Sequence, residues 1–218
     1  TIDWNEEGYE VIHSKANLRS KHLYFKQSIT WSAVSSSLTS FRFSNNPTIF
    51  DSAGSSLFPD YSDMFYYLAI LNSKLTNMFL NVINPTLNYG AGSISNIPIF
   101  HDKNIKDKID SIVHNNINIC KNDWDDYETS FDFKLNSFIR FKKDNIEDTF
   151  YYWKRFKEMK FSNLRNNEKK LNKIFNNIYN LNIEPIVDEK FISVNLADRK
   201  NDVKSFISYA VGCMFGRY

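Results

Sequence analysis

Residues 61–100 read YSDMFYYLAILNSKLTNMFLNVINPTLNYGAGSISNIPIF. Phe65, Leu68, Leu71, Leu75, Met78 and Phe79 recur at spacings of three and four, which predicts one amphipathic helix. Asn72, Ser73, Lys74, Thr76 and Asn77 fill much of its other side. Asp60 or Ser62 is placed to cap its start. Pro85 bars the helix from continuing and pushes Asn84 out of helical geometry. Gly90-Ala91-Gly92 then leads to a short strand closed by Ile97-Pro98-Ile99.

Working upstream, the chain turns rich in Ser, Thr and aromatics. LYFKQSITW (23–31) and SFRF (40–43) alternate β-branched or aromatic residues with polar ones, and Thr48-Ile49-Phe50 follows Pro47. Ser35-Ser36-Ser37, Asn45-Asn46-Pro47 and Ala53-Gly54-Ser55-Ser56 punctuate these runs as turns. Three or four short strands forming a small antiparallel sheet are expected. The first 20 residues read as loop, with one short strand near Tyr9–Ile12.

Downstream the composition changes. Ile105, Ile109, Ile112, Val113 and Ile119 suit a second amphipathic helix, and DWDDYETSFDF (123–133) an ordered, solvated acidic loop. Residues 146–181 predict a charged helix, continuous or broken near Phe161-Ser162, which Pro185 ends. Leu171, Ile174, Phe175 and Ile178 give it an apolar stripe. Phe191–Val194 reads as a strand, and Asp198 as the start of a last helix apolar enough to be buried. The expected class is α+β. A small antiparallel or mixed β-sheet recognition domain with a packed helix covers 1–100, and a helical support with a long helix covers 101–218.

Composition narrows the function. The 218 residues carry a net charge of only +2, so a nucleic-acid site must come from local patches. Hydrophobic residues at 42% and aromatics at 16% suffice for a core. Two distant cysteines, Cys120 and Cys213, fit a reducing cytoplasm and leave no disulfide framework. No apolar run approaches the roughly 20 residues that span a bilayer. The chain begins without Met and stops just after the apolar stretch 206–215, which reads as a fragment truncated at its C-terminus.

No catalytic centre is legible. His13, His22, His101 and His114 are scattered, and none pairs at i, i+4. The Asp123–Glu128 cluster lacks the glycine and regular spacing of a calcium loop. A stand-alone nuclease is disfavoured for the same want of clustered ligands. Asn84-Pro85-Thr86-Leu87 differs from the Asn-Pro-Pro-aromatic motif of amino-methyltransferases in both its third and fourth positions, and reads as a helix stop with a rigid turn. Gly90-x-Gly92 has too few glycines for a dinucleotide or S-adenosylmethionine loop. The most suggestive set is Lys26, Thr30, Trp31, Ser35, Ser36 and Arg42, with Lys74 from the helix. Hydroxyls and cations of this kind bond phosphate oxygens and base edges. The basic residues of 142–173 are interrupted by acids, the pattern of a solvated helix.

Taken together, several segments resemble one family. They are ITWSAVSS (29–36), IFDSAGSSLFP (49–59), LAILNSKLTNMFLNVINPTLNYGAGSISNIPI (68–99), DWDDYETSFDF (123–133), NEKKLNKIFNNIYNL (167–181) and VNLADRKNDVKSFISYAVGCMFGRY (194–218). In that order they look like the target-recognition region of large adenine-specific DNA methyltransferases of the bacteriophage-exclusion (BREX, PglX-type) class. The helix–turn–Gly–strand element with its Ile-Pro is also similar to specificity domains of restriction–modification systems. The resemblance implies double-stranded DNA as partner, beside the catalytic methyltransferase half of a parent chain and other phage-defence proteins. It implies S-adenosylmethionine for the parent and no cofactor in this fragment. The alternative is a helical protein-interaction module that docks a partner subunit through the 171–178 stripe.

Overall fold

The computed structural model describes residues 5–15, 18–36, 38–45 and 48–218; Ser37 and the Asn46-Pro47 turn expected above lie outside them. Its class is α+β: eight α-helices and one three-stranded antiparallel sheet among the described residues. The strands are β1 (Ser28–Ser32), β2 (Phe41–Ser44) and β3 (Gly54–Leu57), in the order β2-β1-β3. β1 holds the centre, with Thr30 opposite Arg42 on one side and Ser56 on the other.

The sheet departs from expectation in its third strand. Thr48–Phe50 forms no strand, and the segment expected to turn at 53–56 is β3 itself. The turn falls earlier, where the Asp51 carboxylate accepts from the backbone N–H groups of Ala53 (2.9 Å) and Gly54 (2.8 Å). The N-terminal strand is also corrected: Glu6–Lys15 is a helix, α1, with acids in its first turn and Lys15 in its last. Asn5 caps it by accepting from Gly8 N at 2.7 Å.

The apolar run after Asp60 makes two helices, α2 (Met64–Leu71) and α3 (Lys74–Ile83). Side chains that compete for backbone groups cause the break. The Asn72 amide donates to the carbonyls of Phe41 (2.9 Å) and Leu68 (3.0 Å), and its oxygen accepts from Phe41 N (3.0 Å). Ser73 caps α3 by accepting from Thr76 N, and Thr76 Oγ1 donates to Ile70 O at 2.7 Å. Asp60 makes no side-chain cap. α2 is buried on nearly every side, as a helix apolar all round must be. It packs on β1 and β2 and against α3, α5 (Lys106–Trp124) and α7 (Ile146–Ile178).

Gly90 precedes a short helix, α4 (Ala91–Ser95), instead of a strand. Ile97–Ile99 is irregular too. Two tyrosines pin it: Tyr179 Oη donates to Pro98 O (2.6 Å), and Tyr66 Oη donates to Phe100 O (2.8 Å). Burial raises the pKa of both phenols.

α7 is unbroken through Phe161-Ser162 over 33 residues. Asn145 caps its start, accepting from Asp148 N at 2.8 Å. Its end comes well before Pro185. Asn180 takes a left-handed φ of 51°, and Leu181 N reaches back to Asn176 O at 2.8 Å. The acidic loop leads to the short α6 (Ser137–Arg140). The strand expected at Phe191–Val194 is absent, replaced by a 3₁₀ turn at Glu189–Phe191. α8 (Arg199–Met214) starts at Asp198 as expected, the carboxylate accepting from Asn201 N at 2.8 Å. Burial of this helix is contradicted, because Tyr209 is its one buried residue.

One core crosses residue 100. Ile29, Trp31, Phe41 and the α2 side chains share it with Ile109, Val113, Leu171, Ile174 and Phe175. The 171–178 stripe offered for partner docking is therefore largely occupied by the chain's own sheet and helices. A second cluster joins Ile119 and Leu164 to Val187, Ile192 and Val194.

Candidate nucleic-acid interface

Strand geometry sends alternate side chains to opposite faces. On β1, Ile29 and Trp31 face α2 while Thr30 and Ser32 face outward. Register carries the outward row sideways to Arg42 on β2 and to Ser56 and Gly54 on β3. Arg42 is exposed and makes no ion pair with a described residue. Thr30 Oγ1 donates to Ser55 O at 3.0 Å, which ties that hydroxyl to β3. Lys26 is exposed two residues before β1, next to Gln27, whose amide bonds Asn45 at the far end of β2.

Arg42 and Thr30 thus lie on the outer face of the sheet, and Lys26 is exposed in the segment that leads into β1, where Ser28 of the same row is buried. Ser56 belongs with them; it was missed because its segment reads as a turn. Ser35 and Ser36 follow β1, where Ser35 N donates to Leu87 O at 3.1 Å and Ser36 is exposed.

Two expected contacts fall elsewhere. Trp31 is 2% exposed, packs tilted against the Phe41 ring and donates its indole N–H to Tyr89 O at 2.7 Å. It anchors the 84–90 loop and presents no face to a base. Lys74 opens α3, donating its backbone N–H to Asn172 Oδ1 (2.9 Å) and its ammonium to Glu184 O (3.3 Å). It joins α3 to the end of α7 and lies off the outer row.

The Asn84 side chain is fully committed. Its amide donates to Asn88 O (2.5 Å) and Ser93 Oγ (3.0 Å), and its oxygen accepts from Thr86 N (3.2 Å) and Thr86 Oγ1 (2.6 Å). This is the rigid turn read from the sequence. A Cβ added at Gly90 or Gly92 would meet nothing within 4 Å, so packing against the chain's own atoms does not require glycine at either position.

The acidic loop is less solvated than expected. Asp123 and Asp126 are buried, against Lys157 of α7 and Arg140 of α6 (2.5 Å) respectively. Lys157 itself, expected on a solvated helix, is 1% exposed and sits over the rings of Tyr127 and Trp153. Burial pulls its ammonium down to about 8, opposed by the Asp202 carboxylate. Burial also raises the carboxyls of Asp126 and Asp202 and pushes the Tyr127 phenol to about 12. Trp153 Nε1 and Asp198 N both donate to Asp202, at 3.1 and 3.0 Å. A cleft of about 550 Å³ opens beside this cluster, lined by Lys121, Asp125, Asp126, Asp132, Lys134 and Arg140. Most of these charges neutralise one another, Lys121 bridging Asp125 (2.8 Å) and Asp132 (2.5 Å). Among the described residues no group of three or more metal-ligating side chains occurs, and no helix is long and apolar enough to cross a membrane.

No protein-family model matches the chain. Over its whole length it is 32% identical, across 235 aligned positions, to the adenine-specific methyltransferase PglX of Lacticaseibacillus casei (strain Zhang). It is 30% identical, across 237 positions, to the adenine-specific methyltransferase BrxX of Escherichia coli O9:H4 (strain HS). Both matches cover 100% of this chain and 19% of the relative. The chain is thus homologous to one segment, about a fifth in length, of these methyltransferases.

Proposed function

We propose that this chain is the DNA target-recognition segment of an adenine-specific DNA methyltransferase of the phage-defence type. The observation that carries the reading is the similarity of the whole chain to one part of two adenine-specific methyltransferases. The sheet's outer row supports it. Arg42 stands opposite Thr30 and Thr30 opposite Ser56, an exposed cation at the edge of a row of two half-buried hydroxyls. Such a row suits phosphate and base-edge contact, with Lys26 and the Ser35-Ser36 loop at its border.

Methyl transfer from S-adenosylmethionine would be carried out by the remaining, larger part of such a protein. Within this chain, Asn84 is locked into its own turn. The residues here hold and orient the duplex; the catalytic half and other phage-defence proteins are the partners that this reading implies, in the cytoplasm.

The test is exchange. Replacing the corresponding segment of a full-length methyltransferase by this chain should change the sequence that is methylated while methylation persists. An unchanged methylation site in a folded, active chimaera would overturn the reading.

A second reading has one observation in its favour. Ile207, Val211, Met214 and Phe215 of the α8 region are exposed at helical spacing, which suits packing against another protein surface. Ile207→Asp with Val211→Asp should then disrupt an assembly while leaving duplex binding intact.

A further inference from the structure

The sequence treats α7 as a solvated helix of mixed charge, yet its charges are segregated along its length. The first turns mix signs, with Glu147, Asp148 and a Lys154–Glu158 pair at 3.9 Å. From Met159 to Asn177 the one carboxylate is Glu168, which is half-buried and shares its surroundings with Cys120. Arg165 is already bound to Glu189 at 2.7 Å.

From Arg155 to Lys173 the one exposed carboxylate is Glu158, paired with Lys154 at 3.9 Å, and beyond it the outward side is free of acid. Arg155, Ser162, Asn166, Lys170 and Lys173 are exposed, and Lys169 is half-exposed beside them. None of Arg155, Lys169, Lys170 or Lys173 forms an ion pair with a described residue. At 3.6 residues per turn, Arg155, Ser162, Asn166 and Lys173 lie along one line of the helix. From Arg155 to Lys173 that line is about 27 Å long, or about eight base-pair steps of about 3.4 Å. The opposite side of the helix is core, through Leu164, Leu171 and Phe175. The stripe is therefore held at a fixed offset from the sheet, to which α2 joins it.

We infer that the outer face of α7 from Arg155 to Lys173 is a second DNA contact, one that follows the sugar–phosphate backbone without reading sequence. This rests on the DNA-recognition reading and adds a surface to it. Lysine and arginine neutralise phosphates, while serine and asparagine supply the neutral donors typical of backbone contacts. The sheet would then read the site while the helix sets register and supplies most of the salt-dependent affinity.

The experiment is a salt titration of binding to a random-sequence duplex, by fluorescence anisotropy, for the chain and for the longer protein that carries it. One variant combines Arg155→Gln, Lys169→Gln, Lys170→Gln and Lys173→Gln. A control removes equal charge elsewhere, through Lys103→Gln, Lys108→Gln, Lys200→Gln and Lys204→Gln. All eight are surface positions, and circular dichroism checks that both variants keep their helix. The α7 variant should make the plot of log affinity against log salt shallower by about three to four, at about 0.9 for each lost phosphate contact, and the control by less than about one. Duplex binding with equal changes in both variants would overturn the α7 surface alone. Absence of salt-sensitive binding by either wild-type protein would overturn the DNA reading and this inference with it.

Discussion

Lys157 of α7 and Asp123 of α5 form an ion pair inside the protein, 1% and 8% exposed respectively. The second Asp123 oxygen accepts from Asn195 N at 3.4 Å, so the pair also ties in the segment that leads to α8. Lys157→Met should destabilise the chain by about 3–5 kcal/mol, because Asp123 loses its cation and Asp202 a nearby one. Adding Asp123→Asn should recover a substantial part. Urea denaturation of the wild type and the two variants measures this; a loss below about 1 kcal/mol for the single variant would contradict the interior placement.

Glu168 gives the stability a pH dependence. Burial pushes its carboxyl from 4.5 up to about 7. Between those values the folded chain keeps a proton that the unfolded chain has lost. This group's effect is therefore to reduce stability as pH rises through that window, with the full cost present above about 7. Glu168→Gln should raise stability by about 1–3 kcal/mol at pH 8 and change it little at pH 4.5. Urea midpoints at the two pH values test the sign.

The two cysteines should react at different rates. Burial, aided by Glu168, pushes the Cys120 thiol to about 11, whereas Cys213 is exposed on α8. Thiolate is the reactive species. A colorimetric thiol assay at pH 8 should therefore titrate one cysteine quickly and the second only on unfolding. Cys213→Ser should remove the fast phase, and its persistence would place Cys120 in solvent.

Trp31 and Arg42 should separate stability from binding. Trp31→Phe strands the buried Tyr89 carbonyl and should cost about 1–3 kcal/mol of stability. Because the ring faces the core, affinity of the folded variant for duplex should be unchanged. Arg42→Gln should leave stability within about 0.5 kcal/mol and weaken duplex binding, with a shallower salt dependence by about 0.9. The opposite pattern would move the interface off the outer row.

The longest helices were the legible part of the fold. The isoleucines of α5 and the capping Asp198 of α8 are local signals and stand where the sequence puts them. The break between α2 and α3 was hidden, because Leu68, Leu71 and Leu75 keep their spacing across it. Its cause is the bond from Asn72 to Phe41, 31 residues away, about which periodicity carries no information. β3 was hidden because Gly54-Ser55-Ser56 has poor strand propensity and is a strand only through pairing with β1. In the candidate site, Thr30 and Arg42 were legible as polar positions of alternating strands. That Trp31 faces inward follows from the same alternation once α2 is known to cover the Ile29 face. Lys157 had no such signal, being one lysine among many until α5 and α8 close over it.

On the DNA-recognition reading proposed above, the single core shared across residue 100 bears on how a new DNA preference would arise. Recombination with a crossover near residue 100 would set foreign side chains against Ile109, Val113 and Phe175, whose counterparts are on the sheet and α2. Viable hybrids are expected to inherit the strands and the long helix as one cassette, with gradual drift in specificity confined to outward positions such as Arg42 and Ser56.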